Sequence, residues 1–257
     1  MSNLDRCGLR GSSLLALTAM CILLSAFALA APPKPILVEL FTSEGCSDCP
    51  PADTFLKALD EGQPIPGAQL IVLEEHVDYW DDQGWRDPFS SHALTQRQSE
   101  YVDRLHVEKG PYTPQMVVDG SEAFVGSDRP QAGRAFAKEL AVPKIIVQIS
   151  ALHIQDGKIL AHVETGTVPA KAEVFVAIAL DHAQSQVLRG ENGGKQLEHV
   201  AVVERLSSVG KVKKGESFSK DTAIKLDHPE KDYRMIAFVQ QADEGKVLGA
   251  AVAQHVK

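Results

Sequence analysis

Two cysteines separated by two residues are the clearest candidates for chemistry in this sequence. Cys46 and Cys49 lie in the segment SEGCSDCPPAD (43–53), directly before two prolines. Such a pair can exchange thiols and disulfides, bind a soft metal ion, or form a small structural disulfide. Closing so short a ring adds only about 2 kcal/mol to stability, little for a chain that can bury a large core. The spacing favours redox chemistry, and the other two interpretations stay open.

The residues around this pair affect its reactivity in opposite directions. Pro50 and Pro51 fit the first turn of a helix, where free backbone N–H groups favour a thiolate. Asp48 opposes this effect, because a negative charge at about 7 Å raises a thiol pKa by roughly half a unit to almost two. We therefore do not expect a strong oxidant.

The first thirty residues have the pattern of a signal peptide. Arg6 and Arg10 precede an apolar run over 14–30, which ends in the small-x-small pattern of 28–30. An uncleaved membrane anchor is the alternative, since the run is just long enough to span a bilayer. We expect cleavage, export to the periplasm or the medium, and no stable membrane insertion of the mature chain.

Charge and cysteine content limit the partners of the mature chain. The net charge is −8, and loss of 1–30 removes two basic residues and one acidic residue. An acidic protein lacks the basic surface that nucleic acid or an anionic membrane requires. Cys7 and Cys21 leave with the signal peptide, so Cys46 and Cys49 remain in an exported protein, where a disulfide can persist.

After a short proline-rich leader (31–35), the first half alternates strands and helices. Apolar runs at 36–41, 69–77 and 114–120 predict strands, and 122–126 predicts a short return strand. Apolar residues at helical spacing predict three helices: one that starts at Pro50, one over about 90–105, and one from Asp128 to Leu140. The order β-α-β-α-β-β-α predicts a parallel sheet covered on both faces, to which the final hairpin adds an antiparallel strand.

Three segments carry a resemblance to a known family. VELFTSEGCSDCPPAD, HVDYWDDQGWRDPF and YTPQMVVDG resemble an exported bacterial thioredoxin-like family that is catalogued as a domain of unknown function. The resemblance implies an α/β thioredoxin-like domain over 36–141. It also implies a Cys46–Cys49 disulfide in which Cys46 is the nucleophile and Cys49 the resolving thiol.

The same resemblance assigns roles to three further residues. Thr113–Pro114 would form a cis peptide bond opposite the dithiol, with Thr113 pairing with the backbone of a substrate peptide. Glu39 would be a buried acid that assists deprotonation of Cys49. The alternative for Glu39 is a carboxylate that is hydrogen-bonded to the backbone or to a neighbouring loop.

The segment after the second strand is rich in aromatic and acidic residues. Because ligands bind at the carboxyl ends of strands in open α/β sheets, we expect a substrate-facing wall here. Its candidate residues are His76, Asp78, Tyr79, Trp80 and Trp85. The alternative is a loop packed by its aromatic side chains and solvated by acids that include Asp81, Asp82 and Asp87.

The second half has a different pattern, without the helical spacing of the first half. Seven short strands separated by turn signals predict an all-β domain over 143–257, an immunoglobulin-like β-sandwich. Its six histidines, His199 among them, are scattered singly and look like ordinary surface or half-buried residues. The glycine-rich segment RGENGGK (189–195) is long enough to reach the first domain.

These patterns predict an exported thiol–disulfide oxidoreductase that acts on protein or small-molecule thiols and disulfides. No cofactor motif is present, and no metal site is assigned. One alternative is a soft-metal (copper) binding or delivery protein that uses Cys46, Cys49 and His76. The other is a binding protein whose Cys-x-x-Cys pair is inert.

Overall fold

A computed structural model describes residues 32–242 and 245–256 of the chain. The predicted signal peptide, with Cys7 and Cys21, lies outside the described residues. From Pro33 onward the chain forms one compact unit. None of the helices in the described part is long and apolar enough to cross a membrane.

The first half follows the predicted order of elements. They are β1 (Lys34–Thr42), α1 (Pro50–Gly62), β2 (Ala68–His76), α2 (His92–Arg104), β3 (Gln115–Val118), β4 (Glu122–Val125) and α3 (Arg129–Ala141). β1 and β2 are parallel, but β3 is antiparallel to β1, with Gln115 opposite Phe41. We expected only the second strand of the hairpin to be antiparallel. This expectation was wrong because a helix and a loop can return the chain to either end of a sheet.

The second half consists of seven strands, as predicted, but two of them, of 15 and 17 residues, are longer than the short strands expected. The seven strands are β5 (Val147–Gln155), β6 (Lys158–Thr165), β7 (Ala172–Gln186), β8 (Gln196–Val212), β9 (Phe218–Lys225), β10 (Tyr233–Gln241) and β11 (Val247–Val256). β5, β6 and β9 form a three-stranded sheet. The other four join the strands of the first half in an eight-stranded sheet, in the order β11-β10-β7-β8-β2-β1-β3-β4.

The predicted fold class, an α/β thioredoxin-like domain followed by an immunoglobulin-like β-sandwich, is wrong. The protein is mostly β, and one mixed sheet runs through both halves. The halves join where β8 pairs in parallel with β2, with Val202 opposite Glu74. Apolar periodicity shows which face of a strand is buried, but it does not show which strand lies along its edge.

The sheet and the start of α1 together fix the position of the cysteines. β1 is buried from Ile36 to Thr42, so its end is held rigidly in the sheet. Pro50 and Pro51 start α1, where their missing N–H groups cost nothing. The helix packs a buried apolar face onto the sheet, formed by Ala52, Phe55, Leu56 and Leu59. The loop that carries the cysteines is therefore anchored at both ends.

Candidate active site

Cys46 and Cys49 are bonded to each other at the N-terminus of α1, with their Cα atoms 5.5 Å apart. Cys49 is the N-cap residue of the helix, and its carbonyl accepts the backbone N–H groups of Ala52 and Asp53. Cys46 is only 1% exposed and Cys49 is fully buried. The disulfide thus lies where a helix start favours a thiolate, but it is screened from solvent.

The segment around Pro114 lies against the first sulfur. The Thr113–Pro114 peptide bond is cis. Cys46 Sγ is 3.8 Å from the carbonyl oxygen of Thr113. Trp80 Nε1 donates a hydrogen bond to Thr113 Oγ1 at 2.8 Å. The structure therefore brings the dithiol, Thr113, Pro114 and one of the two tryptophans together.

The loop between β7 and β8 packs against the backbone of the loop that carries the cysteines. The buried side-chain amide of Asn192 donates to the carbonyls of Glu44 and Cys46, both at 2.9 Å. Glu191 Oε2 accepts the backbone N–H of Ser47 at 3.1 Å. We name residues 189–195 the cover loop. This is the segment that the sequence indicated as long enough to reach the first half.

A glycine allows the cover loop to pack closely against the loop after β2. Gly190 has φ +76°, and a Cβ there would lie 3.1 Å from Trp85 Cβ. An L-residue at this position would be strained in its backbone and crowded by its neighbour. Trp85 Nε1 in turn donates to Glu44 Oε2 at 2.7 Å, which ties this loop to the residues before Cys46.

The other residues predicted to face a substrate have different environments. Asp78 accepts from Thr95 Oγ1 at 2.6 Å and pairs with His92 at 3.1 Å, so it fixes the start of α2. Tyr79 is 37% exposed and is the open part of the predicted wall. His76 is buried and points into the protein. The predicted wall therefore includes structural residues as well as residues beside the dithiol.

A buried group of ionisable side chains includes Glu44 of the cysteine loop. We name it the histidine–carboxylate cluster: Glu44, Glu74, His76, Asp87 and His199. His199 Nδ1 is 2.6 Å from Glu74 Oε1, and its Nε2 is 3.3 Å from Glu44 Oε1. His76 Nδ1 is 2.7 Å from Asp87 Oδ2. The pairing of β2 with β8 brings His199 to the two residues from β2.

The charges of this cluster stabilise one another. Burial alone would lower the pKa of His76, but Asp87 and Glu74 outweigh it and raise the value to about 9. Burial would likewise lower the pKa of His199, which Glu74 and Glu44 hold well above its usual range. Burial would raise the pKa of Glu74, but the two histidines lower it to about 2. The cluster therefore holds ion pairs without contact with water.

Sequence reasoning missed most of this cluster. Glu74 and His76 are two residues apart on a strand, so they share one face of the sheet, and that spacing was a usable signal. His199 gave no signal, and its interpretation as a surface or half-buried histidine was wrong, since it is 2% exposed. Asp87 was seen as one acid of the loop without a partner.

A further buried acid, Asp53, lies four residues after Cys49 in the first turn of α1. Asp53 donates its backbone N–H to the carbonyl of Cys49, and its carboxyl accepts from Thr42 Oγ1 at 2.7 Å. Burial and the negative charge of Glu74 raise the pKa of Asp53 to about 7. A carboxyl with such a pKa can hold or release a proton near neutral pH.

Glu39 is held in a separate buried network. Its carboxylate accepts from Arg97 Nε and from the Tyr101 hydroxyl, both at 2.6 Å. Gln240 from β10 donates to the same hydroxyl at 2.8 Å. Burial, and then the charge of Glu39, raise the pKa of Glu75 beside it well above its usual range. Glu39 therefore has charged and hydrogen-bonding partners far along the chain.

The fold and the site define a mostly β protein with a buried Cys-x-x-Cys disulfide at the junction of its two halves. The chain belongs to DUF1223, a family described as a protein of unknown function, whose model matches residues 37–240. No curated protein matches the chain.

Among solved structures, the chain is similar to a protein of Agrobacterium tumefaciens, a target of the Northeast Structural Genomics Consortium. The identity is 25%, the TM-score is 0.67, and the match covers 88% of this chain and 96% of that chain. A β-glucosidase from Kluyveromyces marxianus matches 45% of this chain and 14% of its own, at 15% identity and a TM-score of 0.21. That last similarity is too low to support an inference.

Proposed function

We propose that the mature chain is exported and exchanges thiols and disulfides through Cys46 and Cys49. One observation carries this proposal: the disulfide lies at the N-terminus of α1, with Cys46 Sγ against the Thr113 carbonyl. The helix N-terminus stabilises a thiolate there, which makes Cys46 a better leaving and attacking group. A structural bridge closing so short a ring would add little stability.

The reaction is a two-electron exchange with a dithiol substrate. A substrate thiolate attacks Cys46 Sγ, forms a mixed disulfide, and releases Cys49 as a thiolate. The second substrate thiolate then attacks the substrate sulfur of that mixed disulfide and releases Cys46. The substrate gains a disulfide, the protein gains two thiols, and the two protons lost by the substrate equal those taken up by the protein. With a substrate disulfide the same steps run in reverse.

Access to the sulfur requires movement of the cover loop. Cys46 is 1% exposed, and Asn192 and Glu191 tie the cover loop to the cysteine loop by hydrogen bonds, so a protein thiol that attacks along the S–S bond needs these contacts to open. Small thiols need the least movement, and an extended peptide, which is larger, needs more. The substrate class is therefore protein or small-molecule thiols and disulfides.

The proposal is tested on the mature chain, residues 31–257, equilibrated in glutathione or dithiothreitol buffers. We expect a reduction potential between about −120 and −270 mV. We also expect the Cys46 thiolate of Cys49→Ser to attack oxidised glutathione, release one glutathione and stay trapped as the mixed disulfide, whereas the matched variant Cys46→Ser traps none. A potential below about −300 mV together with slow exchange would show a structural bridge. Function would then lie elsewhere in the protein, as in a binding protein with an inert pair.

The copper alternative makes a different prediction about ligands. The one group of potential metal ligands within the described residues contains His76 but neither cysteine. Retention of Cu(I) that requires Cys46, Cys49 and His76 together would favour a soft-metal carrier over thiol exchange.

A further inference from the structure

We propose that Glu74, His76 and His199 bind a divalent transition-metal ion, at a site distinct from the Cys46–Cys49 disulfide. One ligand atom from each of the three side chains lies within 4.8 Å of the others. All three side chains are buried, two on β2 and one on β8. The site goes beyond thiol exchange, since neither sulfur takes part in it.

Once each ring has lost the proton that an ion would replace, the surroundings of both imidazoles match those of metal-bound histidines. A ligating histidine usually donates the N–H of its second ring nitrogen to a carboxylate, a backbone carbonyl or water, which fixes the tautomer and the ring orientation. Here His76 Nδ1 is 2.7 Å from Asp87, and His199 Nε2 is 3.3 Å from Glu44. The remaining nitrogen of each ring faces Glu74 Oε1. Glu74 thus stands between two imidazoles, each backed by its own carboxylate.

One nitrogen of this group lacks a hydrogen bond. His76 Nε2 is buried and has no hydrogen-bonding partner, because Glu74 Oε1 lies 3.6 Å away. A buried polar atom left unpaired costs about 1–3 kcal/mol, so native proteins rarely keep one without a reason. An ion between His76 Nε2 and Glu74 Oε1 would satisfy it.

The distances can accommodate an ion with a small adjustment. Two ligand atoms about 2.0–2.2 Å from a tetrahedral ion lie about 3.4 Å apart. The separation of His76 Nε2 from Glu74 Oε1, at 3.6 Å, already fits. His199 Nδ1 is 2.6 Å from the same oxygen, a hydrogen-bonding distance, so its ring must retreat by roughly 0.8 Å. The same movement must bring all three ligand atoms, which now lie within 4.8 Å of one another, to about 3.4 Å.

The donor set selects the class of ion. Two imidazoles and a carboxylate suit Zn²⁺, Mn²⁺, Fe²⁺, Co²⁺ or Ni²⁺, with a coordination position left for water. Ca²⁺ and Mg²⁺ prefer oxygen ligands alone, and Cu(I) prefers sulfur. The carboxylates of Glu44 and Asp87 behind the two rings add negative charge that further favours a dication.

The test measures metal content and Co²⁺ binding of the mature chain. Protein produced in zinc-supplemented medium should retain one equivalent of Zn²⁺ after dialysis, measured by mass spectrometry of the elements. Protein stripped of metal should show the visible absorption of low-coordinate Co²⁺ upon titration. His76→Gln and His199→Gln should each lower Co²⁺ affinity at least 100-fold. The matched control His162→Gln removes a half-buried histidine that lies between two carboxylates, outside this site, and should not change Co²⁺ affinity.

Further variants separate this site from the dithiol. Cys46→Ala/Cys49→Ala should retain one equivalent, because the ligands lie elsewhere. Glu44→Gln and Asp87→Asn, which act through the histidines, should weaken binding about 10- to 100-fold. Loss of metal with the cysteine variant, and retention with both histidine variants, would overturn the proposal. If the histidine variants do not fold, the proposal is tested on the unsubstituted chain. The proposal would also be overturned if that chain retained no Zn²⁺ and showed no Co²⁺ absorption.

Discussion

The hydrogen bonds of Asn192 should control how fast the disulfide can be reduced. Its amide makes two buried hydrogen bonds, each 2.9 Å long, to the carbonyls of Glu44 and Cys46. Each such bond contributes about 1 kcal/mol net, so Asn192→Ala should weaken the closed position of the cover loop by about 2 kcal/mol. Since 1.4 kcal/mol is a factor of ten, the open population should rise about 30-fold.

The assay is the second-order rate constant for reduction by dithiothreitol under native conditions, followed by alkylation and mass shift. If the reductant reacts only with the open form, Asn192→Ala should accelerate reduction about 30-fold. Glu191→Gln keeps an acceptor for the Ser47 N–H and should alter the rate less than about twofold. Val163 lies in the core beneath the three-stranded sheet, so Val163→Ala is the control for lower overall stability.

Two results would refute this reasoning. An unchanged rate in Asn192→Ala would mean that the cover loop does not limit access to Cys46. An equal acceleration in Val163→Ala would mean that reduction proceeds through global unfolding rather than through local opening of the loop.

Three further predictions concern pH, charge and backbone conformation. The folded pKa of Asp53, about 7, exceeds the unfolded value of 3.8, so the folded chain holds a proton that the unfolded chain releases between these values. The unfolding free energy should therefore fall by up to about 4 kcal/mol relative to Asp53→Asn as pH rises from about 4 to about 7. Arg97→Ala should lower the unfolding free energy by about 3–5 kcal/mol in urea titration, because it leaves the buried carboxylate of Glu39 without its cation. Gly190→Ala should accelerate reduction roughly fivefold, because φ +76° costs an alanine about 1 kcal/mol and the loop opens to relieve it.

Each of these predictions has a matched control. Asp48→Asn removes an exposed carboxylate from the loop before α1, and an effect on stability as large as that of Asp53→Asn would argue against a specific role of Asp53. Arg205→Ala removes an exposed ion pair with Asp227 and should cost less than about 1 kcal/mol in urea. Gly215 has φ +85°, and a Cβ there would meet no atom within 4 Å, so Gly215→Ala should leave the reduction rate unchanged. An acceleration in Gly215→Ala would argue against a local effect at Gly190.

Local features of the sequence determined the secondary structure and the position of the dithiol. The proline pair after Cys49 starts a helix, and the apolar run before Cys46 forms a buried strand, since both effects act within a few residues. The strands of the second half were also predicted, because turn residues and alternation are local signals. Their assignment to a separate sandwich was wrong.

Only the tertiary structure decided what surrounds the dithiol. The parallel pairing of β8 with β2 placed His199 beside Glu74 and carried Asn192 over Cys46. It also made one sheet of the two halves. The physical reason is that a strand edge offers the same backbone N–H and C=O groups whatever its sequence. Partner choice therefore depends on packing between residues more than a hundred positions apart, which no local pattern records.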